Sequence, residues 1–174
     1  MLQIGSSMSW FKIITSFFLC FLLAGCGFSP VYVENNSSVF NNELRFIKIN
    51  QIQDRVGQQL RNKLIQILHP NGMRSPVKYN LNTTIAISKQ GLAIKKSELV
   101  TRSNLVFTAN FILIDKTTKK SLTSGNSKII TSYNILDQVY ATKVAEQNAQ
   151  KRAINEISQD IASKISVFFR FRKK

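Results

Sequence analysis

In Val77-Lys78-Tyr79-Asn80-Leu81-Asn82-Thr83-Thr84-Ile85-Ala86-Ile87-Ser88, residues Val77, Tyr79, Leu81, Thr83, Ile85 and Ile87 alternate with Lys78, Asn80, Asn82, Thr84, Ala86 and Ser88. A period of two sends one set of side chains to each face of an extended chain, so this is a strand with one covered face. A polar connector follows, Lys89 to Glu98, holding Gly91 and the pair Lys95-Lys96. Next comes a long strand from about Leu99 to Asp115. Leu105, Phe107, Ala109, Phe111 and Leu113 point one way, and Arg102, Asn104, Val106, Thr108, Asn110 and Ile112 point the other. Lys116-Thr117-Thr118-Lys119-Lys120 turns the chain into a return strand, Leu122 to Tyr133, which completes an antiparallel hairpin. Its Gly125 is expected to mark a bulge.

Upstream of the quoted strand, Leu44, Phe46, Ile47 and Ile49 give a short strand with apolar side chains on both faces. From Asp54 the period changes to three or four: Val56, Leu60, Leu64 and Ile67 or Leu68 recur, with Arg55, Gln58, Gln59, Arg61 and Lys63 between them. That is an amphipathic helix, with Asp54 as its expected N-cap and Pro70-Asn71-Gly72 as its stop. His69, the single histidine, falls at the helix C-terminus, where a solvated or dipole-interacting role is expected. Downstream of the hairpin, Asp137 opens a second helix running from about Gln138 to Phe168. Ala141, Ala145, Ala149, Ala153, Ile157, Ile161 and Ile165 stand four apart on it, and Val144, Ile154 and Phe168 fill in beside this ridge.

The order β, α, β, β, β, α argues for an α+β, two-layer sandwich: two helices packed on one face of a four-stranded, largely antiparallel sheet. One domain spans residues 44–169, and residues 170–174 form a basic tail. The opposite sheet face, with Arg102, Asn104, Thr108 and Asn110 among Val106, Ile112 and Ile114, suits contact with both water and a partner.

The amino-terminal quarter is of another kind. Lys12 is the only charge before the apolar run Ile13 to Leu23, which is too short to cross a bilayer core as a helix. Leu23-Ala24-Gly25-Cys26 closes that run with small residues and a thiol, the pattern of a lipoprotein processing site. Residues 1–25 are thus expected to be a signal peptide, Cys26 the acylated first residue of the mature chain, and residues 26–43 a lipidated tether. Met8 begins an ordinary signal peptide by itself, so Met1 to Ser7 are expected to lie upstream of the true start codon, the choice being between Met1 and Met8. Cys20 leaves with the signal peptide, so no thiol remains for a disulfide, a metal or catalysis.

The chain has 24 Lys and Arg against 9 Asp and Glu, a formal net charge of +15. A polyanionic partner is expected. Export excludes DNA and RNA, leaving anionic lipid headgroups, a phosphorylated glycolipid or an acidic protein surface. One histidine, scattered carboxylates and the absence of a phosphate loop or a nucleophile elbow leave no catalytic constellation, metal site or cofactor site to name. The remaining signal is cationic: Lys95-Lys96 in the connector, Arg102 in the long strand, Lys116, Lys119 and Lys120 in the turn, and Lys143 near the start of the second helix. Such groups hold phosphate by charge-assisted hydrogen bonds.

Laid out in this order, the sequence resembles the LPS-assembly lipoprotein family (LptE). The resemblance rests on Cys26-Gly27-Phe28-Ser29-Pro30-Val31-Tyr32, on Asp54-Arg55-Val56-Gly57-Gln58-Gln59-Leu60-Arg61, on Thr101-Arg102 and on Ser132-Tyr133-Asn134. Tyr140-Ala141, Ala145-Glu146 and Ala149 complete it, and Lys119-Lys120 departs from it where a glycine is commoner. The resemblance implies a lipoprotein of the outer membrane, facing the periplasm. It would plug a large β-barrel partner, assisting its assembly and the outward passage of LPS without catalytic turnover. It also implies that cations near the loop between the second and third strands and near the start of the last helix contact LPS. Lys95, Lys96 and Lys143 match these positions, and Arg102 joins them as a candidate. The alternative is an auxiliary lipoprotein of a phospholipid or ABC-type lipid transport system.

Overall fold

The computed structural model describes residues 43–91 and 102–172. The expected signal peptide, the expected lipidation site Cys26, most of the expected tether and the Lys95-Lys96 pair lie outside the described residues. The elements are β1 (Ile47–Ile49), α1 (Asp54–Leu68), β2 (Tyr79–Gly91), β3 (Arg102–Asp115), β4 (Ser121–Asn134) and α2 (Val139–Arg172). The sheet order is β1-β2-β3-β4. β1 and β2 are parallel, joined through α1, while β2-β3 and β3-β4 are antiparallel. This is the expected α+β layout, two helices and a four-stranded mixed sheet.

Register fixes the two sheet faces. Leu81 lies opposite Leu113, Thr83 opposite Phe111 and Ile85 opposite Ala109, while Phe107 faces Ile129 and Leu105 faces Thr131. The odd-numbered side chains of all three long strands therefore share one face. They form a single core with Leu60 and Leu64 of α1 and with Ala149, Ala153, Ile157, Ile161 and Ile165 of α2. Leu81, Phe107, Leu113, Ile157, Ile161 and Ile165 are fully buried, each contributing about 1.5–3 kcal/mol of transfer free energy. The even-numbered face carries exposed Ile112 and Ile130 among polar residues.

α2 packs along β4 and against α1. Its 34 residues make it about 50 Å long at 1.5 Å per residue. The ridge of small residues at Ala149 and Ala153 lies against the sheet, and Thr131 Oγ1 donates to the Ala149 carbonyl at 3.3 Å. A second buried row runs through Ile154, Ser158, Ala162 and Ser166. Apolar periodicity misses that row, because two of its members are serines; Ser158 satisfies its hydroxyl on the Asn155 carbonyl at 2.7 Å.

Several expectations are corrected. α2 runs to Arg172, so Arg170 and Arg172 belong to its last turn and not to a frayed tail; Phe169 is buried there and stacks edge-on to Tyr79 at 5.0 Å. Val144 is exposed, while its neighbour Ala145 packs against the core, so the buried face of α2 passes Val144 by. Gln53, not Asp54, occupies the N-cap of α1 and makes no side-chain cap bond. Asp54 stands in the first turn at φ +67°, its carboxylate favoured by the helix dipole. β1 shows exposed Lys48 between buried Ile47 and Ile49, so it buries one face only.

His69 is not solvated. It is buried under β1, and Arg45 pins the turn that follows it by donating to the Asn71 and Gly72 carbonyls at 2.6 and 3.0 Å. The bulge is not at Gly125: the β3-β4 register shifts between Leu113 and Ile114, past Leu122. Gly125 sits opposite Phe111, whose ring would lie 2.9 Å from an added Cβ, so the glycine makes room for an aromatic ring. Gly57 has a like reason: a Cβ there would meet Ile52 Cγ2 at 2.6 Å, and α1 docks on Ile52 only because none is present.

Candidate functional site

β2 does not stop at Ser88. Ladder bonding to β3 carries it through Lys89 and Gln90 to Gly91, so residues that composition assigns to a connector are strand. The alternation then places Lys89 with Ile85 and Ile87 on the helix-covered face. There its ammonium lies 5.2 Å from the centre of the Tyr133 ring and 3.6 Å from Glu146 Oε1 of α2. Lys143, one turn earlier on α2, reaches Glu146 Oε2 at 3.3 Å. Contact with Tyr133, then the Glu146 charge, push the Lys89 pKa up, so the group stays cationic.

Two ammonium groups thus converge on one carboxylate at the end of the sheet where β2 and β4 finish and β3 and α2 begin. Both lysines are more than half exposed, at 54% and 63% of their side-chain surface, whereas Glu146 is exposed by 24%. Exposed ion pairs of this sort contribute little to stability. Their effect is to hold two charges in place, and an incoming phosphate can compete for them. The start of α2 is fixed by Thr142, whose hydroxyl accepts from the Leu136 N–H at 2.8 Å and lies 2.9 Å from the Leu136 carbonyl. Beside these cations Leu136, Val139 and Tyr140 stand exposed. The end of the molecule therefore offers charge and apolar surface together, which suits an amphiphile with anionic groups.

Of the residues expected at a binding site, Lys143 is in this cluster. Arg102 is at the same end, but strand parity puts its side chain on the opposite sheet face, away from Lys89 and Lys143. Lys95 and Lys96 lie outside the described residues, as does Cys26; the described ends of the connector, Gly91 and Arg102, are both at this end of the sheet. The turn lysines Lys116, Lys119 and Lys120 are at the other end, where the Lys116 N–H donates to the Lys78 carbonyl at 2.9 Å. Sequence reasoning missed Lys89 as a site residue and Glu146 as its partner. Carrying the quoted alternation two residues further would have put Lys89 on the helix side.

Among the described residues no three His, Cys, Asp or Glu side chains are grouped to hold a metal ion. None of the described helices is long and apolar enough to cross a membrane. Over 151 residues the chain is 26% identical to an uncharacterized protein of Rickettsia prowazekii, covering 87% of this chain and 93% of that one. Its fold is shared with a lipoprotein of Caulobacter crescentus (TM-score 0.61, 23% identity, 76% of this chain and 96% of that one). It is shared also with a minor lipoprotein of Acinetobacter baumannii (TM-score 0.58, 20% identity, 70% and 90%). Residues 28–165 match the LptE family, described as lipopolysaccharide-assembly, and since that match spans most of the sequence and all six elements but the last turns of α2, the chain belongs to the LptE family of lipopolysaccharide-assembly lipoproteins.

Proposed function

We propose that this chain is an outer-membrane lipoprotein, anchored through acylated Cys26, that plugs a large β-barrel protein, assists its assembly and contacts LPS on its way to the cell surface. The family match over residues 28–165 is the observation that carries the reading. The cationic end supports the point of contact. Lys89 and Lys143, with Lys95 and Lys96 supplied by the connector, would hold the phosphates, and Leu136, Val139 and Tyr140 would lie against apolar parts of the same molecule. Arg102 would act from the other sheet face. That face mixes Asn82, Thr108 and Asn110 with Ile112 and Ile130, and it suits a barrel wall that is itself part polar. One acyl chain gives only marginal membrane binding, so the anchor needs more than one.

Purification of the full acylated chain from fractionated membranes tests this reading. A large barrel protein should co-purify from the outer membrane, and depletion of the chain should lower surface LPS. Recovery from the inner membrane without a barrel, with surface LPS normal and phospholipid composition disturbed, would instead place the chain in a phospholipid transport system.

A further inference from the structure

The two edges of the sheet are treated differently. β4 is an edge strand of 14 residues, and an edge of that length is open to pairing with other chains unless guarded. Here α2 guards it: Lys164 Nζ donates to the Asn126 carbonyl at 2.6 Å and Arg152 to the Ser132 carbonyl at 3.4 Å. Two of the outward carbonyls of β4 are therefore occupied by helix cations. The other edge has no such guard among the described residues. β1 pairs with Tyr79, Asn80 and Leu81 only, and the last bond of that pairing runs from the Asn50 N–H to the Leu81 carbonyl at 3.0 Å. The chain then turns away into α1, and β2 continues for ten residues, Asn82 to Gly91, with β3 as its only strand partner among the described residues.

Parity identifies the groups that no described strand pairs. The Tyr79 N–H and the Leu81 carbonyl face β1, so the N–H and C=O groups of Thr83, Ile85, Ile87 and Lys89 point the same way, while those of the even residues bond β3. Thr84 and Ala86 to Gly91 are exposed, with Ile87 at 42%. At the point where β1 leaves, a cleft of about 440 Å³ opens along this edge. Its polar lining includes Gln51, Gln53, Asp54, Asn82, Thr83 and Asn110, set among isoleucines. Thr83 is buried to 93% of its surface, and its hydroxyl has no hydrogen-bond partner among the described residues. A buried hydroxyl left unpaired is destabilising, so a polar partner there is favoured.

We propose that the β2 edge from Thr83 to Lys89 receives an extended segment of the barrel partner as an added strand, taking up the pairing where β1 ends. The inference rests on the reading that a barrel protein is the partner. A row of alternating donors and acceptors at the strand repeat is matched by another polypeptide backbone and by neither a glycan nor an acyl chain. Ile85 and Ile87 on one face, with Thr84, Ala86 and Ser88 on the other, call for a segment that alternates apolar with small polar residues. A polar group of that segment would complete Thr83 in the cleft.

Residue-resolved amide exchange on the full acylated chain, alone and in its co-purified complex, tests the proposal. Alone, the Thr83, Ile85, Ile87 and Lys89 amides should exchange freely, while Thr84, Ala86 and Ser88 are protected by β3. In the complex the odd-numbered amides should slow at least about tenfold and the even ones should stay as they were, an alternation that simple coverage does not produce. Ile87→Pro removes one outward donor and no β3 bond, and edge positions tolerate proline. It should lower barrel recovery about two- to tenfold, the value of one hydrogen bond. A parent complex with no alternating protection overturns this inference and leaves the proposed function standing. Odd-numbered amides already protected in the free chain overturn it too, since the edge is then filled by this chain or by a second copy. If the parent retains no barrel, the functional reading and the inference fall together.

Discussion

Lys119 stands in the β3-β4 turn at φ +59°, in the left-handed region where a side chain is strained and glycine is not. The turn holds because Asp115 Oδ1 accepts the Thr117 and Thr118 N–H groups at 2.8 and 3.0 Å, bonds that keep the Asp115 pKa below the usual range. The family departure noted in the sequence, lysine where glycine is commoner, is therefore a strained position. Lys119→Gly should stabilise the protein by up to about 1 kcal/mol, read as a higher urea midpoint with an unchanged slope. His69 makes the opposite argument. Burial lowers its pKa from the ordinary 6.5, outweighing carbonyl contacts from Leu44 and Ile47 that raise it. The folded protein thus prefers neutral imidazole. Stability should be complete above about pH 6.5 and fall as the pH drops through that value toward the lower folded pKa. Thermal melts between about pH 8 and about pH 5 should show this slope, and His69→Asn should flatten it.

At the scale of elements, what was legible was period. The alternation in β2 and β3 gave the buried face correctly, down to Leu105, Phe107, Ala109, Phe111 and Leu113, and the ridge of α2 was read from its four-residue spacing. Ends and polar interior positions were not legible. Lys89 and Gln90 look like loop but are held by a neighbouring strand, and Ser158 and Ser166 look exposed but are fully buried. Local composition carries no information about a ladder partner far along the chain. The docking of α2 depends on small residues: Ala149 has no exposed surface and lies against β4. Ala149→Glu should therefore cost about 3–5 kcal/mol by placing an unpaired charge there, seen as loss of cooperative unfolding or a large fall in midpoint. The same substitution at exposed Gln147 should change little.

For the whole molecule, charge and the processing site pointed to an exported, cationic, lipid-handling chain, and the family membership agrees with lipopolysaccharide assembly. The site was legible in part: Lys143 stands where two cations meet, Arg102 lies across the sheet from it, and the convergence of Lys89 on Glu146 needed three dimensions. Because Glu146 partly neutralises two lysines, Glu146→Gln should strengthen binding to phosphorylated lipid a few-fold, an effect that shrinks as salt screens the site. The most direct measurement is equilibrium binding of purified LPS by the full chain and by its Lys95→Ala Lys143→Ala variant, with thermal melts alongside. Binding should weaken at least several-fold in the variant while the melting temperature stays within a degree or so, since exposed charges add little to folding; equal binding by the two proteins would contradict the account.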